Sequence, residues 1–219
     1  MKYLKQWGLK RSGTNYARWM IEANVPGVRV LADVGGWKHA PPAAPTWDEA
    51  DWYPEGRPGE TPQVLEQLPQ IKAAWESGGV GHLLCVRRPM AWIAGYHRYV
   101  GQRPTLSSIG EACSRWNLRA RKFLNFRSQH PEAMIVLYER FVEDPQLVLA
   151  ELCGLFGLET PESVTIPPRR LRNRGDYEYG DGMLPEHFRT PTGSTDLGRA
   201  MREIIHDTVD GDLLREVAG

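Results

Sequence analysis

The sequence predicts an α/β fold: a central parallel β-sheet flanked by helices. Three observations carry this reading. Short apolar runs that suit buried strands alternate along the chain with segments of helical spacing. A glycine-bearing turn, "GLKRSGTN", lies between the first strand and the first helix. The chain has 219 residues, the size of one domain with a substantial core.

The elements follow in order. Residues 3–9 alternate well enough for a first strand. Residues 14–23 place Tyr16, Trp19 and Met20 at helical spacing, and Asn24 and Pro26 stop them. Residues 28–32, "VRVLA", are a second strand. Residues 33–61 are rich in Gly, Pro, Trp and Asp without a period, which predicts a long irregular loop; loops of that size are usually functional or disordered. Residues 61–75 read as helical, with Pro69 restarting or kinking the helix. Residues 82–86, "HLLCV", are a buried strand ending at Arg87 and Arg88. Pro89 then opens a helix over 90–100, where proline is tolerated.

Ser107 or Ser108 is expected to cap the next helix, which runs to about residue 129. That helix carries a basic face of Arg115, Arg119, Arg121 and Lys122. The strand "MIVLY" occupies 134–138. Asp144 and Pro145 start a helix to Phe156 that Gly157 ends. Residues 159–195 are rich in Pro, Arg and Gly and read as irregular. Residues 197–209 form a last amphipathic helix. The whole of 1–219 is expected to be one domain.

Composition narrows the function. Lys+Arg and Asp+Glu balance at 27 each, so net charge gives no argument for nucleic acid as a partner. Cys85, Cys113 and Cys153 are odd in number, far apart and set in apolar runs. They read as core residues in a reducing compartment, not as disulfides or a zinc site. The first residues lack an apolar leader segment, and no apolar run is long enough to span a bilayer. A soluble, cytoplasmic protein is the expectation.

In parallel α/β sheets, ligands bind beyond the carboxyl ends of the strands. That rule selects loop 8–15, the loop after Ala32, the segment after Val86 and the segment after Tyr138. At the first place, Gly13 lets the backbone approach a ligand, and Ser12, Thr14 and Asn15 add donors beside a helix N-terminus. A P-loop nucleoside triphosphatase has lysine after its second glycine. Here Thr14 stands there, and the nearby cations Lys10 and Arg11 precede Gly13. This suits a phosphate that is held and not transferred. An ordinary strand-to-helix turn is the bland alternative.

Three segments in order, "KRSGTNY", "LLCVRRPMAWIAGYHRY" and "MIVLYERFVEDPQLVLAELCGLFGL", resemble the sulfotransferases that use 3′-phosphoadenosine 5′-phosphosulfate (PAPS). The resemblance covers roughly half the chain. It implies a sulfotransferase architecture and sulfuryl transfer from PAPS as co-substrate, with no metal. By resemblance, Arg11 acts on the leaving phosphate, where many relatives have lysine. Ser12, Gly13, Thr14 and Asn15 hold the 5′-phosphate, with Asn15 replacing a more usual threonine. Arg87 grips the 3′-phosphate. Gly95 stands where the family has a serine that shares this phosphate, which removes a donor. Tyr138 matches an aromatic near adenine, and Tyr16 falls near a similar position in some relatives. Arg172, Arg174 and Gly175 loosely resemble a late element that closes over the nucleotide.

Bland readings stand beside these. Arg87 and Arg88 also suit a solvated strand end, Tyr138 a buried strand tyrosine, Tyr16 a core aromatic, and Arg172 with Arg174 a solvated basic loop. The proton acceptor is sought beyond the second strand, where "GGWKHAPP" offers His39 beside Lys38. Asp33, Asp48, Glu49 and Asp51 are rivals in the same loop. His82 and His97 suit a strand start and a helix face. Trp37, Trp47, Trp52 and Tyr53 suit either a flat ligand or a loop pinned by burial. No run forms a basic stripe for a heparin-like polymer, so a modest neutral small molecule or carbohydrate is the expected acceptor. Two other functions remain open: a P-loop nucleotide kinase using Asp33 for magnesium, and a catalytically inactive nucleotide-binding relative.

Overall fold

The computed structural model describes residues 1–52, 62–101, 103–166, 170–173, 176–179 and 198–218. Its centre is a parallel four-stranded sheet in the order β2-β1-β3-β4: β1 (Lys2–Gly8), β2 (Val28–Leu31), β3 (Val80–Val86) and β4 (Met134–Leu137). The register pairs Lys5 with Leu31, Gly8 with Cys85, and Val86 with Leu137. The carboxyl ends of all four strands therefore meet at one edge of the sheet.

Alternation along the strands splits the core in two. Leu4, Leu83, Cys85 and Val136 pack with α1 (Thr14–Asn24), α7 (Tyr138–Glu143) and α8 (Pro145–Phe156) through Met20, Ile21, Phe141, Leu149 and Leu152. Trp7, Leu84, Val86 and Leu137 face α5 (Pro89–Val100), α6 (Leu106–Gln129), α9 (Arg199–Thr208) and α10 (Gly211–Ala218). There they meet Trp92, Ile93, Trp116, Phe123, Ile205 and Leu213. A smaller cluster of Tyr3, Leu31, Val34, Trp52, Val64, Ile71 and Val80 lies under α2 (Glu49–Trp52), α3 (Pro62–Glu66) and α4 (Leu68–Glu76). Cys85, Cys113 and Cys153 are buried free thiols.

Over 61–75 Pro69 restarts the helix, as one of the two expected outcomes had it: α3 ends and α4 begins with Pro69 in its first turn. Other local expectations need correction. The cap of α6 is Thr105, not Ser107 or Ser108. Its hydroxyl accepts from the Ser108 N–H at 3.2 Å, and the Ser108 hydroxyl accepts from the Thr105 N–H at 2.9 Å. Tyr138 is the first residue of α7 and not the last of a strand, and α7 itself was not foreseen. The helix expected over 197–209 is not the last, because α10 follows it.

The stretch 159–195 is not wholly irregular. It contains an antiparallel pair, β5 (Arg170–Asn173) with β6 (Asp176–Tyr179). Loop 33–61 likewise contains α2 and a bridge between Gly35 and Thr46. Among the described residues, no helix is long and apolar enough to cross a membrane.

Candidate active site

The site begins where β1 stops. A Cβ at Gly8 would stand 2.4 Å from Ser12 Oγ and 2.9 Å from the Cys85 carbonyl oxygen, so the turn folds hard against the strand ends. The Ser12 N–H donates to the Leu9 carbonyl at 3.0 Å. Arg11 (φ 71°) is the one non-glycine residue with positive φ among those described, and Gly13 follows at φ 92°. A non-glycine residue in that region costs about 1–3 kcal/mol and persists only where its surroundings impose it.

Those surroundings are visible at the carbonyls. The Trp92 indole N–H donates to Lys10 O at 2.8 Å, Arg87 Nη1 to Arg11 O at 3.4 Å, and the Ala17 N–H to Gly13 O at 3.0 Å. With these carbonyls engaged by the protein, the turn leads into the first N–H groups of α1, which have no partners within the helix. The Ser12 hydroxyl is buried with no hydrogen-bond partner among the described residues.

Two distant segments close on this turn. Arg87, just past β3, stacks its guanidinium 4.8 Å from the centre of the Tyr138 ring, and its Nε lies 3.7 Å from Glu139. Tyr138 in turn covers Gly13, where a Cβ would come within 2.3 Å of the ring. Glu139 accepts from the Arg88 N–H at 3.1 and 3.2 Å and so ties the end of β3 to the start of α7. Burial raises the Glu139 carboxyl above its ordinary value, against the pull of the Arg88 N–H and of Arg87. Gly95 faces Arg87: a Cβ there would lie 3.4 Å from Nη1. The Arg11 guanidinium rests 5.6 Å from the Tyr99 ring centre, and Lys10 sits beside both Tyr99 and Trp37.

The loop after β2 completes the site through an internal ammonium. Lys5 is fully buried on β1. Its Nζ donates to the carbonyls of Ala32, at 2.7 Å, and Gly36, and lies 4.7 Å over Trp7. Asp33 Oδ1 accepts from the Lys38 N–H at 3.2 Å, and the Gly8 N–H donates to Lys38 O at 2.8 Å. Lys38 Nζ thereby reaches Asn15 Oδ1 at 3.3 Å, and His39 Nδ1 lies 2.7 Å from the Gly8 carbonyl. A carbonyl only accepts, so this bond puts the proton on Nδ1 and the lone pair on Nε2.

His39 lines a cleft of about 300 Å³, together with Lys10, Trp37, Tyr96, Arg115 and Arg119. Arg119 fastens the histidine from the other side, donating to the carbonyls of His39, at 2.9 Å, and Ala40. Burial brings its guanidinium down to about 10.

The rival carboxylates sit elsewhere. Asp33 is buried and shapes its own loop, Asp48 accepts from the Ala50 N–H at 2.9 Å, and Asp51 lies in α2. None of these lines the cleft, and the Glu49 side chain lies outside the description. Of the loop tryptophans, Trp52 is fully buried and Trp47 packs on Trp75, whereas Trp37 faces the cleft. Tyr16 is a core aromatic against Tyr138 and Phe141. Arg172 lies on β5, but its side chain, like Tyr53, Gly175 and the whole of Arg174, falls outside the described residues.

Sequence reasoning missed Lys5, Glu139 and Tyr96 as parts of the site and did not connect Arg119 to His39. The spacing of Arg115, Arg119 and Lys122 on one helical face was legible, but not what that face meets.

Fold and site together define a parallel α/β protein with a tight glycine-bearing turn at its first strand–helix junction. The chain belongs to the sulfotransferase family, whose profile matches residues 9–162, from the turn to beyond α8. It is an enzyme of the sulfotransferase kind. The sulfotransferase domain from the Synechococcus PCC 7002 olefin synthase is similar to it, with 17% sequence identity and a TM-score of 0.45, over 99% of this chain and 86% of that one. No curated protein matches the chain.

Proposed function

We propose that this enzyme transfers a sulfuryl group from PAPS to a hydroxyl or amine of a small-molecule or carbohydrate acceptor by in-line displacement, within a single domain over 1–219. One observation supports this above others. The turn bearing Ser12 and Gly13, Arg87 and Tyr138 pack against one another, and His39, in the cleft beside them, is bonded to the Gly8 carbonyl at the start of that turn.

The donor set fits a nucleotide with two phosphate groups. The Ser12 hydroxyl and Arg87 Nε are buried without hydrogen-bond partners among the described residues, and both are donors suited to phosphate oxygens. In this reading Ser12, Gly13, Thr14 and Asn15 hold the 5′-phosphate, Arg87 holds the 3′-phosphate beside Gly95, and Tyr138 flanks the adenine. Arg172 and Arg174 belong to the closing element. PAPS supplies the activated sulfuryl group, and the acceptor oxygen bonds to sulfur as the sulfur–oxygen bond to phosphate breaks. The electron pair leaves on the phosphate oxygen, where the Arg11 cation stabilises it. The acceptor proton passes to Nε2 of His39.

Calorimetry with 3′,5′-ADP in the absence of magnesium tests this. Saturable binding that weakens at least tenfold in Arg87→Ala is expected. No binding of 3′,5′-ADP overturns it, and binding of ATP only with magnesium overturns it in favour of a nucleotide kinase.

A further inference from the structure

The cleft beside His39 has a chemical character of its own. Its polar lining includes four cations, Lys10, Arg115, Arg119 and Lys122, and no aspartate or glutamate among the described residues. Three of the four come from one face of α6, at spacings of four and three residues. The cleft is thus locally basic in a chain whose acids and bases balance overall.

The cations are held in differing ways. Arg119 is spent on the His39 and Ala40 carbonyls and half-buried. Arg115 Nη1 donates to the Tyr96 hydroxyl at 2.8 Å while its guanidinium lies 5.3 Å over that ring, which still leaves donors on the other nitrogens. Lys122 is exposed, two helical turns beyond Arg115. A wall of Trp37 and Tyr96 lies among these charges, and low-dielectric walls strengthen the field they make. A neutral sugar would offer the remaining donors of Arg115 and Lys122 no anionic partner, whereas a carboxylate or phosphate would.

We infer that the acceptor is an anionic hydroxylated molecule, carrying a carboxylate or phosphate that Arg115 and Lys122 receive while its hydroxyl faces His39. This rests on the sulfotransferase reading and departs from the neutral acceptor expected from the sequence. The shared chemistry is a compact anionic oxygen group, and a polyanion is a different case that a short test panel separates.

The test uses PAPS-dependent turnover on hydroxy acids, aliphatic, aryl and phosphorylated, each paired with its neutral amide or ester. Binding of 3′,5′-ADP is measured in parallel. The anionic member of the best pair is expected to have a kcat/KM about tenfold or more above its neutral partner, and the advantage should shrink as salt rises. In Arg115→Ser/Lys122→Ser that ratio falls towards one, and Lys122→Glu shifts preference to an amino alcohol, while 3′,5′-ADP still binds. Neutral members turned over equally well, no turnover of any anionic member, or a ratio that survives the double substitution overturns the inference while 3′,5′-ADP binding stands. Loss of 3′,5′-ADP binding by the unsubstituted enzyme removes the sulfotransferase reading, and this inference with it. Faster turnover of heparan fragments than of any short acid assigns the charge to a polymer and also overturns it.

Discussion

His39 donates its Nδ1 proton to the carbonyl of Gly8, 2.7 Å away, at the point where β1 ends and the phosphate-type turn begins. The bond links the proposed base to the same residue that packs against Ser12, so His39 and the Ser12 turn share one backbone anchor. His39→Ala should lower kcat by ~10²–10⁴-fold, the usual range for a general base. Its 3′,5′-ADP affinity should change little by calorimetry. An unchanged kcat would assign the proton to another group.

Gly13 combines φ 92° with the Tyr138 ring where a side chain would go. Gly13→Ala pays a left-handed backbone cost of roughly 1–2 kcal/mol and displaces Tyr138. A lower melting temperature and loss of 3′,5′-ADP binding are expected. Tyr138→Ala in the same background should recover part of the stability but not the nucleotide affinity.

Gly95 leaves room beside Arg87. A serine Cβ would make ordinary contact with Nη1 at 3.4 Å, and its hydroxyl would lie near the cation. Gly95→Ser should tighten 3′,5′-ADP binding several-fold, in line with about 1 kcal/mol for one net hydrogen bond. Weaker binding would mean that the 3′-phosphate approaches from another side of Arg87.

Lys5 is the only cation among the fully buried side chains described, and it holds two carbonyls of the loop that carries His39. Lys5→Met removes the charge and strands both carbonyls. A destabilisation of ~2–4 kcal/mol in urea unfolding is expected from unpaired buried groups. A fall in kcat without a matching loss of 3′,5′-ADP affinity should accompany it, because the displaced loop bears His39, the proposed base.

His82 gives the fold a pH dependence away from the cleft. It is buried, accepts from the Trp7 indole at 3.3 Å, and is packed by Trp75, Phe126 and His130. Burial first, and then the charges of His130 and Lys5, lower it from 6.5 to about 4, against an opposing pull from Glu132. The unfolded chain therefore takes up a proton at a pH where the folded chain does not. The His82 contribution is present above pH 6.5 and is lost as pH falls towards 4, by up to ~3 kcal/mol. Urea unfolding at pH 7 and 4.5 should show this loss in the parent. It should be much smaller in His82→Gln, which keeps an acceptor for Trp7.

The alternation of strands and helices, the anion-type turn and the order of the three family-like segments were legible along the chain. Each depends on neighbours a few residues apart: the apolar period, the glycine in the turn, the proline that opens α5. Contacts across the sheet were not legible. That Lys5 holds the loop bearing His39, that Glu139 ties down the Arg88 backbone, and that the basic face of α6 turns towards the cleft depend on β1 lying between β2 and β3. Strand order brings together residues tens of positions apart, and no spacing along the chain encodes which of them meet. The local chemistry of the turn was therefore written in its own few residues, while packing brought His39 and a positively charged cleft beside it.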